Sequence, residues 1–86
     1  MKTIWKFPLQ VTRNQHIAMP AHAHLLRVQA QGDQLVLWAL VDTDEPLEQV
    51  PMAMYGTGHQ LPEDWGVYFD TAQQGPFVWH FFQPEF

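Results

Sequence analysis

Apolar side chains recur at every second position through most of this chain, which is the period of a strand and not of a helix. Thr3 to Leu9 alternates Thr3, Trp5, Phe7 and Leu9 against Ile4, Lys6 and Pro8, and Pro8 makes it an edge strand or ends it there. Gln15 to Met19 reads as a second strand closed by Pro20. Ala23 to Asp42 reads as a hairpin turning at Gly32-Asp33, followed by a loop, a strand from about Glu48 to Tyr55, and a break at Gly56-Thr57-Gly58. The tail predicts a strand over Val67 to Asp70, a turn around Gln73-Gln74-Gly75, and a last strand from Phe77 to Gln83. Seven prolines interrupt any helical run. The pattern predicts an all-β fold, a small antiparallel β-sandwich or partly open barrel of about six to seven strands with no substantial helix.

The hairpin permits a register argument. A two-residue loop with glycine first suits a type II′ turn and pairs Gln31 with Gln34. Counting back, one face carries Ala30 with Leu35, Val28 with Leu37, Leu26 with Ala39 and His24 with Val41, a surface suited to the core. The other carries Gln29 with Val36, Arg27 with Trp38, and Leu25 with Leu40. A cation there stands across from an indole among aliphatic neighbours, a patch whose burial is favourable. The expected cover is a second copy about a twofold axis, so a homo-oligomer is expected.

At 86 residues with 47% hydrophobic content the chain suits one domain, 1–86, with a modest core. Cysteine is absent, which removes disulfides and thiolate metal sites and fits a reducing compartment. Neither a signal-like run nor a membrane-length apolar segment is present, so the expectation is a cytoplasmic protein that does not engage membranes. Nine acids against four cations give a net charge of −5, which disfavours duplex nucleic acid as a partner. Asp42, Asp44, Glu45 and Glu48 cluster beside Pro46 and read as a solvated loop.

The opening Lys2-Thr3-Ile4-Trp5-Lys6-Phe7-Pro8-Leu9, the middle Val28-Gln29 and Leu37-Trp38-Ala39-Leu40-Val41-Asp42, and the string Tyr55-Gly56-Thr57-Gly58-His59 together resemble a family of short phage and prophage proteins carrying a domain-of-unknown-function label. The likeness spans most of the chain to about Pro62. It implies a small β-protein of phage origin that acts inside the host cell, where such accessory proteins often bind one host molecule, a defence protein or a nucleotide immune signal.

Tyr55-Gly56-Thr57-Gly58-His59 is the leading candidate site. Closely spaced glycines let backbone amides approach an anion, Thr57 adds a hydroxyl, His59 a donor and Tyr55 a stacking ring. With no helix behind it the string is not a nucleotide fingerprint, and a turn ending a strand is the plainer reading. Lys6, Arg27, Trp5 and Trp38 form a second constellation of cations with aromatics, in which Trp5 and Lys6 point to opposite faces of one strand. Arg27 is the first choice for a phosphate contact, because a guanidinium grips phosphate bidentately.

Five histidines, including His22 and His24 in one short stretch, invite a metal reading, but no three or four ligands share a diagnostic spacing. No metal and no cofactor is expected. His80 reads as a half-buried strand histidine with a hydrogen-bonded ring, and His16 as surface. The chain has no serine or cysteine, and its threonines lack a recognisable activating base, so no catalytic residues and no enzyme activity are expected. The sequence thus points to a homo-oligomeric, non-catalytic binder of a small nucleotide-like host signal, with pockets at subunit boundaries built from the glycine string and the Arg27-Trp38 face. The alternative is a protein–protein inhibitor of a host defence protein.

Overall fold

The computed structural model describes residues 1–84, and every regular element among them is a strand. The seven are β1 (Lys2–Pro8), β2 (Asn14–Pro20), β3 (His24–Gln31), β4 (Gln34–Asp42), β5 (Leu47–Gly56), β6 (Val67–Gln74) and β7 (Phe77–Gln83). They form two antiparallel sheets, ordered β1-β4-β3 and β2-β5-β7-β6. The sheets stay separate, so the fold is a sandwich and not a closed barrel.

Alternation builds the core. Leu35 and Leu37 of β4 and Val28 of β3 face Ile17, Met19, Met52, Met54 and Phe81 of the other sheet, and all are buried. Phe81 and Met19 are fully enclosed. At one side the sheets are tied together: the Asp70 carboxylate of β6 accepts the Val28 amide of β3 at 2.8 Å, and Gln74 Nε2 donates to the Asp33 carbonyl at 2.7 Å. Asp70 thereby satisfies an amide on an edge strand that no neighbouring strand reaches.

The hairpin register holds from Gln31↔Gln34 through Arg27↔Trp38, with Gly32 at φ +60 as the turn requires. It then slips. A bulge at Leu26 puts Leu25 opposite Ala39 and His24 opposite Leu40. The expected pairs Leu26 with Ala39, His24 with Val41 and Leu25 with Leu40 are therefore displaced: two residues oppose one, the side chains exchange faces, and Leu25 packs on the core while Leu26 is exposed. Strand β6 also continues past Asp70 to Gln74, because Thr71 to Gln74 pair with His80 to Phe77 although they offer little apolar signal. The turn accordingly falls at Gly75-Pro76.

The acidic loop is solvated at Asp44, while Asp42 and Asp44 both accept hydrogen bonds from the Met1 ammonium, at 3.2 and 3.0 Å. Glu48 lies in β5 and not in the loop. The Asp44 backbone amide and then the ammonium hold the Asp42 carboxyl below its ordinary pKa, and Asp44 with Asp42 raises that of the amine.

Candidate functional site

Trp5 apart, the two constellations marked in the sequence lie on opposite outer faces of the sandwich. On the three-stranded sheet, Lys6 and Arg27 flank Trp38 from either neighbouring strand, forming one cross-strand row. Among the described residues no other layer covers this face, since the second sheet packs against the opposite side. Val36 is nonetheless only 3% exposed. Lys6 Nζ reaches across β4 to Gln31 Oε1 at 2.9 Å, so its aliphatic stem passes over the Val36 row. Trp38 is half-buried, and Ile4, Leu26 and Leu40 are exposed around it. The expected face thus exists, with Leu26 in place of Leu25. Trp5 occupies the core side opposite Ala39 yet is 40% exposed, because β1 is an edge strand.

The glycine string belongs to the other sheet. Gly56 to His59 is a β-turn closed by the His59 amide donating to the Gly56 carbonyl at 3.0 Å, with Gly58 at φ +87 in the position that favours glycine in a type II turn. The Gly56 amide in turn donates to His59 Nδ1 at 3.2 Å, so that nitrogen accepts and Nε2 is the one left to donate. Tyr55 does not offer a stacking face: it is 5% exposed, packed edge-on against Phe82 at 5.8 Å, with the Arg13 guanidinium 4.9 Å above its ring. Among the described residues this is the cation that sits over an aromatic face, where the sequence pointed to Arg27 on Trp38.

Thr57 is engaged as well. Its hydroxyl lies 2.7 Å from His80 Nε2, the other ring nitrogen lies 3.0 Å from Thr71 Oγ1, and Tyr68 Oη lies 2.6 Å from that oxygen. His80 is the half-buried, hydrogen-bonded strand histidine that its alternation with Val78 and Phe82 suggested. No base for the threonines was recognisable in the sequence, and the structure places His80 within hydrogen-bond distance of both Thr57 and Thr71. Thr57 and His80 stand 23 residues apart and meet only because β5 and β7 are neighbours. Both imidazole nitrogens are taken by hydroxyls, so the orienting carboxylate of a familiar triad has no counterpart in this network.

Beyond the turn, residues 57–66 fold back over the outer face of the four-stranded sheet and leave an open groove of about 750 Å³. Arg13, Asn14 and Tyr55 form its sheet side, while His59, Gln60, Leu61, Asp64 and Trp65 come from the loop. The volume is that of a small-molecule site. Sequence reasoning missed Arg13, Asn14, Gln60 and Trp65. Of these only Arg13, as one of four cations, carried a signal that could have drawn attention.

The chain belongs to the DUF7352 family. The model of that domain of unknown function matches residues 1–86, the whole sequence. No curated protein and no solved structure matches the chain. Within this DUF7352 chain no group of three or more His, Asp or Glu side chains converges as a metal site among the described residues, and no helix long and apolar enough to cross a membrane occurs among them.

Proposed function

We propose that this chain is a non-catalytic binding protein that captures a nucleotide-type small molecule in the groove between Arg13 and Trp65. One observation carries the reading: the Arg13 guanidinium, braced on Tyr55, lines the same groove as a half-exposed indole and the amides of Asn14 and Gln60. A guanidinium suits a phosphate, an indole suits a base, and the Asp64 carboxylate suits a base amino group. The setting follows from the resemblance of the opening and Tyr-Gly-Thr-Gly-His strings: a phage-encoded protein that sequesters a host immune signal in the host cytoplasm.

AMP, ADP-ribose and cyclic nucleotides offered to the purified protein are expected to raise its unfolding midpoint through mass action for at least one member. Arg13→Ala should weaken that binding about tenfold or more, and lower the unliganded midpoint only slightly through loss of its contact with the Tyr55 ring. No shift across the panel rejects the reading. Arg27→Ala, on the opposite face, tests whether a second copy completes the site. Full affinity removes Arg27, Trp38 and Lys6 from it.

A second reading rests on the outer face of the three-stranded sheet, where Ile4, Leu26, Trp38 and Leu40 form an uncovered apolar patch flanked by Lys6 and Arg27. Such a patch suits a protein partner, a second copy or a host defence protein. Leu40→Glu should abolish self-association or partner capture without touching nucleotide binding.

A further inference from the structure

The Gly56–His59 turn stands between two aromatic platforms, and only one of them belongs to the groove already described. On the Trp65 side lies that groove, with the indole 49% exposed. On the other side, a second concavity of about 460 Å³ is lined by Gly56, Thr57, His59, Phe77, Val78 and Trp79. Its shelf is built: Phe77 and Trp79 stack with centroids 5.6 Å apart and planes 21° from parallel, and Trp79 Nε1 donates to Gln74 Oε1 at 3.0 Å. Phe77 is 57% exposed, so its outer face is free to take another ring. Trp79 is half-buried and packs its other side against the core, whereas Phe77 stands outside it.

His59 lines both concavities, so the Gly56–His59 turn stands between them. The crest carries the amides of Thr57 and Gly58 and the Thr57 hydroxyl, groups that favour an anion over an apolar linker. The Asp64 carboxylate lies within the Trp65 groove, where it opposes a phosphate but accepts from a base. Charge therefore separates along the surface: base positions at the two ends, and an anion position over the turn with Arg13 at its flank.

From this arrangement we infer that the ligand class is a dinucleotide, one base stacked on Trp65, the other on the Phe77–Trp79 shelf, and the phosphodiester linkage crossing the Gly56–His59 turn. The inference rests on the groove being a nucleotide site. A mononucleotide fills one platform only. Joining two makes the second contact intramolecular, so a dinucleotide should bind about a hundredfold or more tighter than its mononucleotide.

Calorimetric titration with cyclic di-AMP, linear pApA and AMP tests this. At least one dinucleotide is expected to bind one per chain and about a hundredfold tighter than AMP. Trp65→Ala and Phe77→Ala should each lower dinucleotide affinity roughly 10- to 100-fold, while only Trp65→Ala should weaken AMP. Both residues are exposed, so unchanged unfolding midpoints confirm that the variants are folded. Dinucleotides that bind no tighter than AMP, or a Phe77→Ala variant of full dinucleotide affinity, overturn the inference and leave the groove reading standing. Absence of binding by AMP and dinucleotides alike overturns both.

Discussion

At the scale of single residues, two glycines that look alike in the sequence do different things. Gly66 sits at φ +81, and a Cβ there would run into the Gln83 carbonyl oxygen and stand 2.8 Å from Pro84 Cα, both backbone. Gly58 has φ +87 with nothing within 4 Å. Gly66→Ala should therefore cost at least about 2 kcal/mol, from strain and clash together, whereas Gly58→Ala should cost only the left-handed penalty of about 1–2 kcal/mol. Urea unfolding separates the two, and equal losses would show that the backbone around Gly66 yields. The Asp42–Met1 contact is a second residue-scale device. Because folding lowers the Asp42 pKa, its contribution is present above the ordinary carboxylate range and fades as pH falls through the depressed value. The amine is raised, so its contribution is complete below its ordinary value and fades as pH rises through the elevated one. Both groups are exposed and the effect on global stability should be slight. An NMR titration should show the Asp42 carboxyl titrating below an unhindered aspartate, with the Asp44 amide shifting in step.

At the scale of elements, β7 and the β3–β6 corner hold the sandwich. Phe81 is fully enclosed between the sheets, so Phe81→Ala should cost about 3–5 kcal/mol, a large share of the stability of a domain this small, as read by urea denaturation. Asp70→Ala leaves the Val28 amide without its partner and should cost about 1.5–3 kcal/mol, while Asp70→Asn should recover part of that loss because an amide oxygen still accepts. Equal effects of the two would mean that the carboxylate matters as a charge and not as an acceptor. The strands themselves were legible, since Thr3, Trp5 and Phe7 or Val78, His80 and Phe82 alternate without ambiguity. Leu26 was not. Its bulge and that between Tyr68 and Asp70 break a register that counting assumes uniform, and each arises where an edge strand must bend to meet the other sheet.

At the scale of the whole molecule, the described chain is a slab of 40 × 32 × 16 Å with a Cα radius of gyration of 13.0 Å, above the about 12 Å expected for a compact chain of this length. Two layers this thin leave two outer faces, one roofed by residues 57–66 and the other bare. That bare face is the basis for expecting self-association. Light scattering at micromolar concentration should find an oligomer that Leu40→Glu converts to monomer, and a wild-type monomer would reject it. The sequence alone determined the class of fold, the strands and the face pairing near Gly32, because a period of two and a glycine-first turn are local physics that need no knowledge of distant residues. Which residues meet was decided by tertiary structure alone. Arg13 reaches Tyr55, Thr57 reaches His80, and Trp65 closes a groove, each through sheet order or loop placement. Those depend on how two sheets stack, a choice made by the summed packing of the core and not by any local stretch of chain.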